Sequence, residues 1–216
     1  GKEFLNDIKN QIGIDVDILS GKDEALFSFK GARRGLFNLS KVLIIDIGGG
    51  STEFSLGNSQ LIKSVSLPMG AVRFTNTYFK SDPPKLDELQ RAEMAVDELL
   101  SDFVETFEKF SLGSDITTIG VGGTLTTLAA ICQGLTTYNS CRIHGFRLSR
   151  DEIEKAFVNL SSLTLEQRKA TAGLEAHRAD IILAGTLIAR KITQKLNIDN
   201  IQVSESDLME GYIATK

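Results

Sequence analysis

The sequence predicts a single α/β domain, and three features carry that prediction. Val42–Ile47 is almost wholly apolar, as expected of a strand covered on both faces. Between Lys85 and Phe110 the period changes: Leu86, Leu89, Ala92, Val96, Leu99, Phe103, Phe107 and Phe110 recur every three or four positions, the stripe of a long amphipathic helix. Strand-like and helix-like segments are mixed along the whole chain, with no linker, repeat or low-complexity stretch between them.

Taken in order, Phe4–Ile12 reads as a short helix and Val16–Leu19 as a strand. Ser20 then caps a helix through "GKDEALFSF", with Asp23 and Glu24 in the first turn, where the helix dipole favours acids. Thr52–Leu56 and Leu61–Leu67 follow Val42–Ile47 as strands, split by the turn "GNSQ". The prolines of "SDPPK" mark a loop before the long helix. Asp115–Gly120 is a strand running into "VGGTLTTLAAIC", a glycine turn that opens a helix. Ser149, with Glu152 three positions on, has capping-box spacing. Asp180–Leu196 is a helix, Ile201–Val203 a strand, and "SESDLMEGYIATK" a terminal helix.

Composition narrows the functional classes. A net charge of −4 argues against nonspecific nucleic-acid binding, which draws its affinity from phosphate neutralisation by basic residues. Two cysteines, Cys132 and Cys141, and two histidines, His144 and His177, suggest neither a zinc site nor a disulfide framework. No apolar run is long enough for a membrane span and no signal peptide opens the chain, so the expected compartment is the cytoplasm.

The chemistry concentrates in "VLIIDIGGGSTEFSLG". A dinucleotide fingerprint needs a helix after its glycines and a Walker loop needs a lysine, and "DIGGGSTEF" offers neither. It reads as a strand–turn–strand hairpin with Asp46 at its mouth. Bare backbone there lets an anion approach the N–H groups, and the aspartate suits a hard cation such as Mg²⁺. A tight turn that merely needs positive φ is the plain alternative. A second loop of the same kind, "GVGGT", puts Gly122, Gly123 and Thr124 at a helix N-terminus, which is an anion site by its free N–H groups and dipole. Two such turns can grip one polyphosphate chain.

These motifs, with "ILSGKDEA" upstream and "SLPMGAVRF", "RADIILAG" and "VSESDLMEG" downstream, resemble the exopolyphosphatase/guanosine-pentaphosphate phosphohydrolase (Ppx/GppA) family, in the family's order and over nearly the whole chain. The resemblance implies a ribonuclease-H-like, actin-type fold with helices on both faces of a mixed sheet. It implies that residues 1–216 form the second of two lobes, the N-terminal lobe lying outside this chain and completing the cleft. It assigns Asp46 to the metal. It assigns Gly48, Gly49, Gly50, Ser51, Gly122, Gly123 and Thr124 to phosphate, with Arg73 as a phosphate contact or an ion-pair partner. Glu24 falls on the catalytic base, although alone it reads as a first-turn acid, and Glu53 on a second catalytic acid. The implied reaction is Mg²⁺-dependent removal of a terminal phosphate from polyphosphate or guanosine pentaphosphate. The implied partners are that substrate, no nucleic acid, no membrane, and a second copy of the chain as a candidate. A noncatalytic polyphosphate or (p)ppGpp sensor and half of an actin-superfamily kinase or ATPase stay open. Arg142, His144, Arg147 and Arg150 read as a solvated basic face or a steering patch. His177, Arg178 and Asp180 read as a structural ion pair. Asp207 stands where the family has glycine, a change expected to affect loop rigidity rather than chemistry.

Overall fold

The fold is that of a computed structural model, which describes residues 2–13, 16, 18–36, 40–111 and 115–215. Helices α1 (Lys2–Ile12) and α2 (Gly21–Ala32) lead to strands β1 (Lys41–Ile47), β2 (Thr52–Gly57) and β3 (Leu61–Leu67). Next come α3 (Ala71–Tyr78), α4 (Leu86–Ser111), β4 (Ile116–Val121), α5 (Gly122–Cys132) and α6 (Ser140–Ile143). The chain continues through β5 (Arg147–Ser149), α7 (Arg150–Ser162), α8 (Leu165–Lys169), a 3-10 turn at Ala176–Arg178, α9 (Ile182–Lys195), β6 (Asn200–Val203) and α10 (Leu208–Ile213).

The six strands form one mixed sheet in the order β3-β2-β1-β4-β6-β5. β1, β2 and β3 are an antiparallel meander, β4 and β6 extend it in parallel with β1, and β5 pairs antiparallel with β6. Pleating sends alternate β1 residues to opposite faces. Leu43, Ile45 and Ile47 join Phe54 and Leu56 of β2 in the large core under α4, α5, α7 and α9. Val42 and Ile44 face the other way and meet Phe29 and Ala32 of α2, with Ile119 and Val121 of β4, in a small second core. Helices therefore cover both faces, as the resemblance implied.

Local signals explain most elements. Ser20 caps α2 by accepting from the Asp23 amide at 3.2 Å. Ser149 and Glu152 form the expected capping box at α7. The apolar stripe of α4 buries Ala92, Val96, Leu100, Phe103 and Phe107. Helix α9 is buried on nearly every side. Its Thr186 and Thr193 hydroxyls are satisfied by donating to the carbonyls of Ile182 and Ala189 one turn back.

Helices α2 and α10 pack backbone against backbone. A methyl group on Gly31 would collide with the Asp207 carbonyl, and one on Gly211 with the Phe27 carbonyl. Phe27 and Tyr212 close the contact edge to face, 5.2 Å between centroids.

Two expectations are corrected, and two segments hold more than local sequence revealed. Val16, Ile18 and Leu19 are irregular rather than a strand, and Asp17 lies outside the described residues. Among the described residues no strand pairs with them, so β-propensity had nothing to act on. The helix expected from Asp180 starts at Ile182, because a 3-10 turn occupies the residues before it. The "SLPMGAVRF" stretch holds a helix, α3, that local sequence did not reveal. "SDPPK" is more than a loop: Asp82 accepts from the Leu165 amide at 2.8 Å and from Arg168 at 3.1 Å, tying that segment to α8.

Candidate active site

Asp46 continues the β1 face that α2 covers. In the β-ladder it pairs with Glu53 on one side and Val121 on the other. Glu53 in turn pairs with Ser66, whose hydroxyl donates to its Oε1 at 2.6 Å. Where the small core ends, Glu24, Asp46, Glu53, Ser55, Ser64 and Ser66 line a cleft of about 260 Å³. Residues as far apart in sequence as Glu24 and Ser66 thus meet in one cavity, and the three predicted acids are among them. A larger cavity, about 600 Å³, opens at the far end of the sheet beside Thr117, Arg147, Lys195 and Asn200, and none of the residues assigned to catalysis, phosphate or metal reaches it.

The Asp46 carboxyl is pushed up to about 6, first by burial and then by the charges of Glu53, Asp207 and Glu24. Its neighbour explains how it fits. Gly122 has φ +83°, a conformation that favours glycine, and a methyl group there would strike Asp46 Oδ1. The carboxylate therefore lies directly against the β4–α5 turn. Among the described residues, no group of three His, Cys, Asp or Glu side chains is placed to hold a metal alone. Mg²⁺ binds through one or two carboxylates with phosphate oxygens and waters, and a buried carboxylate crowded by like charges fits that demand.

Because Asp46 titrates higher folded than unfolded, its contribution to stability is fully present below its ordinary value of 3.8 and is lost as pH rises through about 6. Asp46→Asn, which cannot ionise, is therefore expected to raise the thermal midpoint of the metal-free chain at pH 7.5 by roughly 2–4 °C, with the gain shrinking between pH 6 and pH 4. Thermal scans of both chains with a chelator present check this. Equal midpoints at pH 7.5 would show that the acids do not strain one another.

The glycine turn works differently from the plain reading. None of Gly48, Gly49 and Gly50 has positive φ, so the turn does not need glycine for that purpose. Three of its carbonyls are held instead. Gly48 O accepts from the Ala71 amide at 2.9 Å, Gly49 O from the Arg73 amide at 3.0 Å, and Gly50 O from Arg73 Nε at 2.8 Å. In a trans peptide the N–H points opposite to the carbonyl. The amides of Gly49, Gly50 and Ser51 are thereby turned away from α3, side by side, and make no hydrogen bond among the described residues. Such a row is an anion nest. Gly70 permits the arrangement, since a methyl there would collide with the Gly49 and Gly50 backbone, while one on Gly50 would meet nothing.

Arg73 is thus neither paired with an acid nor aimed only at a ligand; it fixes the last peptide of the nest. Thr124 helps to hold the second turn in place. Its hydroxyl is buried and donates to the Ile47 carbonyl at 3.1 Å, tying α5 to β1, which leaves its amide for the helix N-terminus. Arg178 is the residue that sequence reasoning missed. It pairs with Glu175 at 3.3 Å, not with Asp180, and its guanidinium lies on Gly123 closely enough that a methyl there would strike it. A cation on the positive end of a helix is itself unfavourable, and an anion between them removes the conflict. The signal available was its place in the "RAD" segment.

The basic cluster divides. Arg150 pairs with Asp199 at 3.1 Å, Arg147 lines the far cavity, and His144 Nδ1 accepts from the Glu205 amide at 3.3 Å. It forms no common patch facing Asp46. Asp207 does more than stiffen a loop: it caps α10 by accepting from the Met209 amide at 3.0 Å, and its charge helps hold up Asp46. Among the described residues, no helix is long and apolar enough to cross a membrane.

Exopolyphosphatase 2 of Mycobacterium tuberculosis is 34% identical over 204 residues, covering 92% of this chain and 63% of its own. A bifunctional 3-dehydroquinate synthase/phosphatase of Fusobacterium nucleatum is 35% identical over 219 residues, covering 97% of this chain and 32% of its own. The solved structure of the Aquifex aeolicus PPX-GPPA enzyme superposes with a TM-score of 0.89 at 32% identity, covering all of this chain and 70% of the other. An exopolyphosphatase from Cytophaga hutchinsonii gives 0.85 at 26% identity, over 99% and 69%. The chain therefore spans less than two thirds of the length of exopolyphosphatase 2. A model of the Ppx/GppA phosphatase family matches residues 1–216. The chain belongs to the Ppx/GppA phosphatase family.

Proposed function

We propose that these residues form the second lobe of a two-lobe phosphohydrolase, which removes the terminal phosphate of inorganic polyphosphate or guanosine pentaphosphate. The supporting observation is the meeting of three carboxylates, Glu24, Asp46 and Glu53, in one cleft, at the end of a strand that runs into the glycine turn with its carbonyls held by α3. Phosphoryl transfer to water needs an oriented nucleophile and fixed donors for the equatorial oxygens of the transferring group. Glu24 sits on the exposed first turn of α2, where it orients the attacking water and takes its proton. The Gly49, Gly50 and Ser51 amides hold the terminal phosphoryl oxygens. The Gly122–Gly123 turn, with Arg178 on it, holds the next phosphates. Glu53, fixed by Ser66, braces Asp46 in its strand pair. When bound through Asp46, Mg²⁺ supplies positive charge that offsets the negative charge of the phosphates.

The test is phosphate release by the full-length protein, measured side by side on polyphosphate and guanosine pentaphosphate with Mg²⁺. Release from either substrate is the expected result. Tight binding of both without release would overturn the hydrolase reading in favour of a sensor.

A further inference from the structure

The carboxyl-terminal edge of the sheet arranges its polar groups in strand order. β1 brings Asp46, β4 runs into the Gly122–Gly123 turn, and β6, next to β4, runs into Ser204 and Glu205. Neighbouring strands lie roughly 4.8 Å apart, so this row spans about 10 Å. Glu205 is held rather than loose. The Tyr138 hydroxyl donates to Glu205 Oε1 in a short hydrogen bond, and the Glu205 amide donates to His144 Nδ1. Thr126, one turn into α5, has its hydroxyl directed to the Gly122 and Gly123 carbonyls of the second glycine turn. Tyr138 stays 46% exposed, so part of its ring is open to solvent. Glu175, also nearby, is neutralised by Arg178, whereas Glu205 has no ion-pair partner among the described residues.

We propose that Tyr138 and Glu205 limit the length of phosphate chain the site accepts, an inference that rests on the phosphohydrolase reading above. A substrate with its terminal phosphate at the Asp46 cleft and its next phosphates over Gly122 and Gly123 reaches Glu205 after a few phosphoryl groups. There it meets a fixed, uncompensated carboxylate beside an aromatic wall. A chain that ends before this point avoids the charge, and a longer polyanion is repelled by it. One unit charge near contact in a hydrated groove is worth roughly a three- to tenfold change, and salt screens it.

Glu205→Gln keeps an acceptor for Tyr138 and removes only the charge. In the full-length protein, at low salt, kcat/KM is measured on tripolyphosphate and on long-chain polyphosphate. Glu205→Gln is expected to raise the long-to-short ratio roughly three- to tenfold, a gain that disappears at high salt. Tyr138→Phe, which frees the carboxylate to swing away, is expected to raise the ratio less and with the same sign. An unchanged ratio in both variants, with an active parent, overturns this inference alone. A parent that releases no phosphate from either chain overturns the hydrolase reading and this inference with it.

Discussion

Turnover by the full-length protein is expected to fall about 10²–10⁴-fold when Glu24 becomes Gln, the range for loss of a positioned base. Glutamine matches the size of the acid but cannot take the proton of the attacking water. Substrate affinity should change little, because the amides of the two glycine turns, not Glu24, hold the phosphates. The neighbouring Asp23 supplies the control. Its carboxylate accepts from the Ser20 hydroxyl at 2.6 Å in the α2 cap, so Asp23→Asn removes a charge from the same turn without touching the cleft. Steady-state phosphate release by both variants separates the roles. Full turnover by Glu24→Gln would leave Glu24 as a helix-start acid and require another base.

The 216-residue chain alone is expected to release phosphate at least about a hundredfold more slowly than the full-length protein. Misplacing reacting groups by about 1 Å is enough for that loss. Its own two cores suffice for independent folding. In the proposed two-lobe reading its site is one wall, in keeping with the exposure of Glu24 and the open space beside Gly50. Anion binding to the outward amides should survive in the isolated chain, because those donors are set by α3 and Arg73 within it. Parallel assays of the isolated chain and the full-length protein decide the matter. Equal rates would show that the site is complete in these residues and that no second lobe is needed.

Both glycine turns and Asp46 could be picked out because each depends on local sequence, whereas Glu24 and Glu53 were assigned by the family resemblance alone. An apolar strand ending in Asp46 must place that acid at a sheet edge, and bare glycines after it mark close backbone approach. What escaped depends on partners distant in sequence. Helix α3 has no side-chain cap: its N-terminal amides are satisfied by Gly48 and Gly49, more than twenty positions earlier, so no residue beside it announces it. Arg178 lies far from Gly123 in sequence and touches it only through the fold. Val16–Leu19 erred in the opposite direction, since strand-like residues acquire a strand only when an edge is available to pair with. Arg73 was weighed between phosphate and acid. Its carbonyl partner was invisible because main-chain acceptors leave no mark in sequence.

The glycine-to-glycine contact of α2 with α10 bears on the order of assembly. Lys30 of α2 bonds Thr215, just past α10, across 185 positions of chain. A contact of such long range closes a large loop and belongs among the late, slow events of folding. Asp46, Glu53 and the first glycine turn sit on a local meander, whose short-range contacts are expected to form early. Glu24 rides on the helix that the long-range contact anchors. On contact range alone, the acids of the meander are expected to be placed first, and Glu24 to be fixed in register only once residues 208–213 have docked.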